Sequence, residues 1–164
     1  MPAHIMARAT QTPVTVRMFT QRFSATRLGA RLARHLAAHR LDVWGFPYGT
    51  RSSNAACAIV AELTANAVLH GHVAGRDFEL SLATLCYADI AADVGTAAAR
   101  PGTLRIDVAD TRTERRPPQP GGLAVPARDA EAGRGLLVVS ALATRWTVLD
   151  RHPIGKVVRA ELDL

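Results

Sequence analysis

Glu62, Asn66 and His70 stand four residues apart in the stretch Glu62-Leu63-Thr64-Ala65-Asn66-Ala67-Val68-Leu69-His70-Gly71. A helical residue turns by about 100°, so a step of four returns nearly to the same face. With a rise of about 1.5 Å per residue, neighbours in this set lie roughly 6 Å apart along the axis. One helix face then offers a carboxylate, a neutral amide oxygen and an imidazole. Leu63, Ala67 and Val68 make the other face apolar enough to lie on a sheet. An amide oxygen suits a Mg²⁺ ion that also carries waters and phosphate oxygens. A carboxylate one turn earlier is placed to orient or deprotonate an attacking hydroxyl or water. His70, one turn later, can touch a phosphate or the following loop. An exposed polar helix face contains the same residue types, so other groups must decide between the two.

Two other places bear on that choice. Asp110 ends the apolar run of Leu104, Ile106 and Val108. A carboxylate there can accept a hydrogen bond from an exocyclic amine such as that of adenine, although Asp is also a frequent turn starter. Gly133-Arg134-Gly135-Leu136 opens an apolar segment. Its glycines permit close backbone approach, and free amides at a helix start suit phosphate. Neither a P-loop nor a Gly-x-Gly-x-x-Gly run occurs anywhere in the chain.

These groups need elements to position them. Residues 1–12 are expected to be a loose tail, and 13–164 a single domain. Val14 to Phe19 alternates as a half-buried strand does. Ser24 is placed to cap a helix running to about Leu41, with Leu28, Leu32 and Leu36 as its apolar stripe. Arg27, Arg31 and Arg34 line the same helix, as a solvated face or as a dock for an acidic partner. Gly45 to Gly49 is a turn-rich break. Ser52 or Ser53 then opens the long helix, whose core face should include Cys57, Val60, Leu63 and Ala67; Gly71 stops it. A strand follows at Phe78 to Leu85. The Ala- and Gly-rich segment 86–102 reads as an insertion, with a short helix around Ala88–Ala92. Leu104 to Asp110 is the next strand. Thr111 to Arg134 loses apolar periodicity and forms a long loop of the kind that carries function or is disordered. Leu136 to Ala143 is a helix, and Trp146–Leu149 and Lys156–Leu162 form a closing hairpin around Arg151–Gly155. The expected fold is α+β, a two-layer sandwich with a mixed, mostly antiparallel sheet covered on one face by about three helices.

Composition sets bounds on this reading. At 164 residues one domain is expected. The net charge of +6 is almost wholly Arg, since Lys156 is the single lysine. A basic balance favours nucleotide phosphates, nucleic acid or an acidic protein face, and a GC-rich genome produces the same bias. No nucleic-acid recognition motif or aromatic platform appears, so direct nucleic-acid binding is not expected. Cys57 and Cys86 are too few for a disulfide scaffold or a Cys-ligand zinc site. With no membrane-length apolar run and no signal-peptide core, a soluble, cytoplasmic setting without membrane contact is expected.

The Glu-x-x-x-Asn-Ala-x-x-His helix, the Asp after a strand, the long loop and the Gly-x-Gly-Leu turn occur in that order. In this the chain resembles the GHKL (Bergerat-fold) ATP-binding superfamily, and is most similar to the actinobacterial anti-sigma factor serine/threonine kinases. The closing Gly155-Lys156-Val157-Val158 and Ala160-Glu161-Leu162 also have the look of that group. The resemblance covers roughly Val14 to Leu164. It implies that Asn66 holds Mg²⁺ on the ATP phosphates, with His70 nearby, and that Glu62 is the general base. It implies further that Asp110 reads adenine, that Gly133, Gly135 and Leu136 form the second glycine box, and that 111–134 is the ATP lid. Arg134 is the candidate clamp on the phosphate in transit. The implied substrate is a serine or threonine hydroxyl on an anti-anti-sigma factor, with a sigma factor as the sequestered partner and a homodimer as the assembly. The alternative is a non-catalytic partner-binding regulator with the same fold and a vestigial nucleotide site. One position departs from the family pattern: Arg112 stands where a small residue is usual, and it can swing out, stack on the base or obstruct it.

Overall fold

The computed structural model describes residues 13–87, 102–124 and 134–164. The expected tail, the short helix around Ala88–Ala92 and Gly133 lie outside the described residues. Chain order is β1 (Pro13–Phe23), α1 (Arg27–Val43), α2 (Arg51–His70), β2 (Phe78–Tyr87), β3 (Thr103–Asp110), α3 (Gly135–Leu142), β4 (Arg145–Asp150) and β5 (Lys156–Asp163).

Both long helices start on a threonine rather than on the expected serines. Thr26 caps α1, accepting from the Gly29 amide at 3.0 Å, while the Ser24 hydroxyl meets Thr26 Oγ1 at 3.1 Å. Thr50 caps α2, accepting from the Ser53 amide at 3.3 Å. Each threonine has the extended backbone that an N-cap needs; the candidate Ser52 and Ser53 already lie inside the helix.

The apolar stripe of α1 is one residue away from the expected one. Its buried positions are Gly29, Ala33, Ala37 and Leu41, whereas Leu28 and Leu32 are 64% and 51% exposed. The helix packs chiefly on α2, and small side chains let two helix axes approach closely. On α2 the buried face is Ala56, Ile59, Val60, Leu63, Thr64 and Ala67, with Cys57 only half-buried at its edge.

The five strands form one sheet in the order β1-β2-β3-β5-β4. Every pairing is antiparallel, so the parallel component of the expected mixed sheet is not found among the described strands. Strands β3 and β4 do run the same way, but β5 lies between them and pairs antiparallel with both. Leu80, Leu82, Leu104, Ile106, Val158, Ala160 and Trp146 fill the face beneath the helices.

The opposite face is charged in register. Arg22 pairs with its cross-strand neighbour Glu79 at 3.1 Å, and Arg159 with Asp107 at 2.7 Å. Glu161 takes Arg105 at 2.9 Å from one neighbouring strand and Arg145 at 2.5 Å from the other. Opposite charges directly across a ladder stabilise the pairing. A face so charged stays wet, which is why the domain has two layers and not three. No described helix is long and apolar enough to cross a membrane.

Candidate functional site

Asn66 and His70 from α2, Asp110 from the end of β3, and Gly135 and Leu136 from the start of α3 line one cavity of about 580 Å³. Its other walls are Val108 of β3, Lys156 and Val158 of β5, and Glu114, Pro117, Pro118 and Leu123 of the loop after β3. This volume is typical of a small-molecule site. Three segments far apart in sequence therefore bring their expected residues to one place.

The helix delivers its three polar groups unequally. Steps of four drift by about 40° around the axis, so Glu62 and His70 diverge by roughly 80°. His70 is exposed at the rim. Glu62 does not line the cavity; it lies against the start of α3. A methyl group on Gly135 would stand 2.6 Å from Glu62 Oε2 and 3.7 Å from Asn66 Nδ2. The glycine thus lets α3 begin directly beside the carboxylate. Arg134 precedes it, exposed, with its carbonyl accepting from the Val138 amide at 3.1 Å and no side-chain cap on the helix. Its side chain is not part of the cavity wall.

Asp110 is the most enclosed acid in the site, 6% exposed. Its Oδ1 accepts from Lys156 Nζ at 2.9 Å and from the Arg112 amide at 2.9 Å. Lys156, 4% exposed, also donates to the Arg112 carbonyl at 3.1 Å. A buried carboxylate needs such a partner to remain charged without a large penalty. On its other side the acid meets Gly71, where a methyl group would stand 2.4 Å from Oδ2. Gly71 therefore ends α2 and also leaves the space that the carboxylate occupies.

Of the outcomes open to Arg112, the structure takes the first: the side chain swings out. Its guanidinium reaches the His72 carbonyl at 3.4 Å and Glu114 at 3.7 Å. It neither stacks in the cavity nor blocks it, since Arg112 is not among the lining residues. The backbone of Arg112, through its amide and carbonyl, is what touches the site.

The first part of the long loop is fastened to the sheet edge. Gln119 donates to the Val148 carbonyl at 3.1 Å and accepts from the Val148 amide at 3.4 Å, and Arg116 pairs with Asp150 at 2.7 Å. One side-chain amide thus does on the free edge of β4 what a further strand would do.

Lys156 is the site residue that the sequence pattern did not reveal. Its signal was its uniqueness as the only lysine. The position became meaningful only with the register, which sets Lys156 opposite Asp110.

Among the described residues no group of three His, Cys, Asp or Glu side chains is arranged to hold a metal. The donors near α3 are one amide group on the cavity wall and one carboxylate behind it. That set fits an ion such as Mg²⁺, which keeps waters and is bound largely through phosphate oxygens. It does not fit a resident structural metal.

The family model described as the histidine kinase-like ATPase domain matches residues 7–162. A solved structure of the RsbU and RsbW domains of Rv1364c from Mycobacterium tuberculosis is similar at a TM-score of 0.57 and 16% identity. The likeness, one of fold, covers 90% of this chain and 32% of that one. No curated protein matches.

Proposed function

The chain belongs to the histidine kinase-like ATPase domain family, and from that premise we propose that it is an ATP-binding protein serine/threonine kinase of the anti-sigma type. The observation that carries this reading is the cavity itself. It gathers Asn66, Asp110, Gly135 and Leu136 from three separate segments into the lining of one cavity.

In this reading the base lies against Asp110, and the phosphates run toward Asn66 and the amides at the start of α3. Asn66 would hold a Mg²⁺ ion, which when bound offsets the charge of the phosphates. Glu62 is reached past Gly135. It takes the proton of a serine or threonine hydroxyl on an anti-anti-sigma partner as that oxygen attacks the terminal phosphorus of ATP. The bond to ADP breaks, and Arg134 steadies the charge on the phosphoryl group in transit. Gly133, outside the described residues, belongs by sequence to the same glycine box as Gly135 and Leu136. The switch is then between a sequestered sigma factor and the phosphorylated partner, in the cytoplasm. A homodimer belongs to the same proposal, supported by exposed Val14, Val16 and Met18 on the edge strand β1 and exposed Leu28 and Leu32 on α1.

The test has two stages. Calorimetry on the purified chain should show binding of ATP with Mg²⁺. Incubation with a co-purified partner and labelled ATP should then transfer the label, and Glu62→Ala should abolish transfer while leaving binding. Absence of ATP binding removes the enzyme reading.

One observation favours a second reading, a non-catalytic regulator with a vestigial site. Asp110 Oδ1 is already engaged by Lys156 and by the Arg112 amide. Partner binding that survives in a Glu62→Ala, Asn66→Ala double variant, together with no phosphate transfer by the unaltered chain, is the outcome that selects it.

A further inference from the structure

We propose that Gln119 is a positioning residue of the nucleotide cavity: its side-chain amide, seated on the edge of β4, fixes the wall that the loop after β3 contributes. This rests on the nucleotide-site reading above. Glu114 to Pro118 line the cavity, and so do Leu123 and Ala124. Gln119 stands between these two runs and is not itself part of the lining. β4 is the last strand of the sheet, so its outer edge has no partner strand. Gln119 serves that edge at Val148, with Nε2 donating to the carbonyl at 3.1 Å and Oε1 accepting from the amide at 3.4 Å. A side-chain amide carries a donor and an acceptor together, as a strand residue does.

The chain reverses immediately after this anchor. The Gly122 amide donates to the Gln119 carbonyl at 2.9 Å across Pro120 and Gly121, and Gly121 has φ 90°. That is the pattern of a type II turn. The two lining runs are therefore the two arms of a turn whose first residue is pinned to the sheet. Among the described residues the other polar tie from 113–124 to the sheet is Arg116 with Asp150, whose side chains are 45% and 69% exposed. So exposed a pair contributes little. Leu123 adds an apolar contact with the core. A wall already in place spares a ligand the entropy of ordering it, so releasing the anchor lowers affinity without removing a ligand contact.

Gln119→Met keeps the reach of the side chain and removes both hydrogen bonds. Gln119 is exposed, so the variant should fold, with Tm within about 3 °C of the unaltered chain; Gln119→Thr takes its place if it does not. Calorimetry on the full chain should show ATP and ADP, each with Mg²⁺, weakened by about tenfold. The factor should be the same for both, because the wall adjoins Asp110 and not the start of α3. With the co-purified partner, KM for ATP should rise by a similar factor at unchanged kcat, since the wall acts on ground and transition states alike. Asp150→Asn, which breaks only the exposed pair, should leave ATP affinity within about twofold. ATP affinity within about twofold in the folded Gln119 variant overturns the inference, as does a loss confined to ATP, a fall in kcat at unchanged KM, or an equal loss in Asp150→Asn. In each of these cases ATP still binds the unaltered chain, so the kinase reading stands; if no nucleotide binds that chain, both fall together.

Discussion

Substituting Gly71 by alanine asks whether the space beside Asp110 is functional or incidental. Gly71 is the C-cap of α2, at φ −95° and ψ −3°. Alanine adopts this backbone without strain, and a smaller unfolded-state entropy alone would stabilise the variant by about 0.4–1 kcal/mol. The new methyl group, however, stands 2.4 Å from Asp110 Oδ2, 2.5 Å from its Cγ and 2.8 Å from the Ala67 carbonyl oxygen. Ordinary contact is about 3.5 Å, so the carboxylate must retreat by roughly 1 Å. Its two bonds of 2.9 Å, to Lys156 and to the Arg112 amide, cannot both survive such a shift. Overpacking costs about 1–3 kcal/mol, and a lost charge-assisted hydrogen bond about 1.5–3 kcal/mol. After the entropic gain, a net destabilisation of about 1.5–5.5 kcal/mol is expected. For a chain of this size that lowers Tm by roughly 3–20 °C. Scanning calorimetry gives the first readout, and ATP titration of the folded variant the second, where a loss of tenfold or more is expected. An unchanged or raised Tm refutes the steric reasoning. A lowered Tm with unaltered ATP affinity refutes the placement of the base at Asp110.

Two more substitutions separate the site from the scaffold. Gly135→Ala puts a methyl group 2.6 Å from Glu62 Oε2; because the end of a glutamate can turn away, stability should change by less than about 1 kcal/mol. Single-turnover phosphate transfer should fall by at least about tenfold, and transfer at the unaltered rate would remove Glu62 from the mechanism. On the outer face, burial raises the pKa of Glu161, but hydrogen bonds and charge from Arg105 and Arg145 outweigh it and hold the carboxyl below its usual value. A depressed folded value means that its stabilisation is present above the unfolded pKa and is lost as pH falls through the folded one. Glu161→Gln should therefore lower Tm near pH 7, by about 1 kcal/mol equivalent since Arg145 is partly exposed. The gap to the unaltered chain should close below about pH 4, and a gap independent of pH in thermal melts would contradict the assignment.

The elements were legible because periodicity is a local property. The strand ending at Asp110, the helix ending at Gly71 and the closing hairpin all lie where alternation and stop signals place them. What failed needed knowledge of a neighbour. Leu28, Leu32 and Leu36 make a good stripe by spacing, but the fold buries Gly29, Ala33, Ala37 and Leu41 instead: small side chains suit the close packing of α1 on α2, and Gly29 makes room for the Ser24 carbonyl. The choice of cap failed for a related reason. Several hydroxyls precede each helix, and only the backbone angles distinguish the one that points at a free amide.

The site shows the same division, and it decides how far the family resemblance carries. Residue types could place Asn66, Asp110 and Gly135 in one pocket, because an ordered set of motifs constrains where they meet. They could not show that Glu62 faces α3 rather than the cavity, since that depends on where the start of α3 packs against the helix. Nor could they judge Arg112. A large residue two places after Asp110 looks disruptive when each residue is counted as a side chain. In the folded chain its amide holds Asp110 and its carbonyl holds Lys156, while the guanidinium leaves for His72 and Glu114. The backbone does the work at that position, so side-chain size there is free to vary. Lys156 is the reverse case: its side chain is committed, and its meaning depends on one register pairing across two strands. Of the two residues that hold Asp110, the one whose side chain the fold commits is therefore Lys156, and not Arg112.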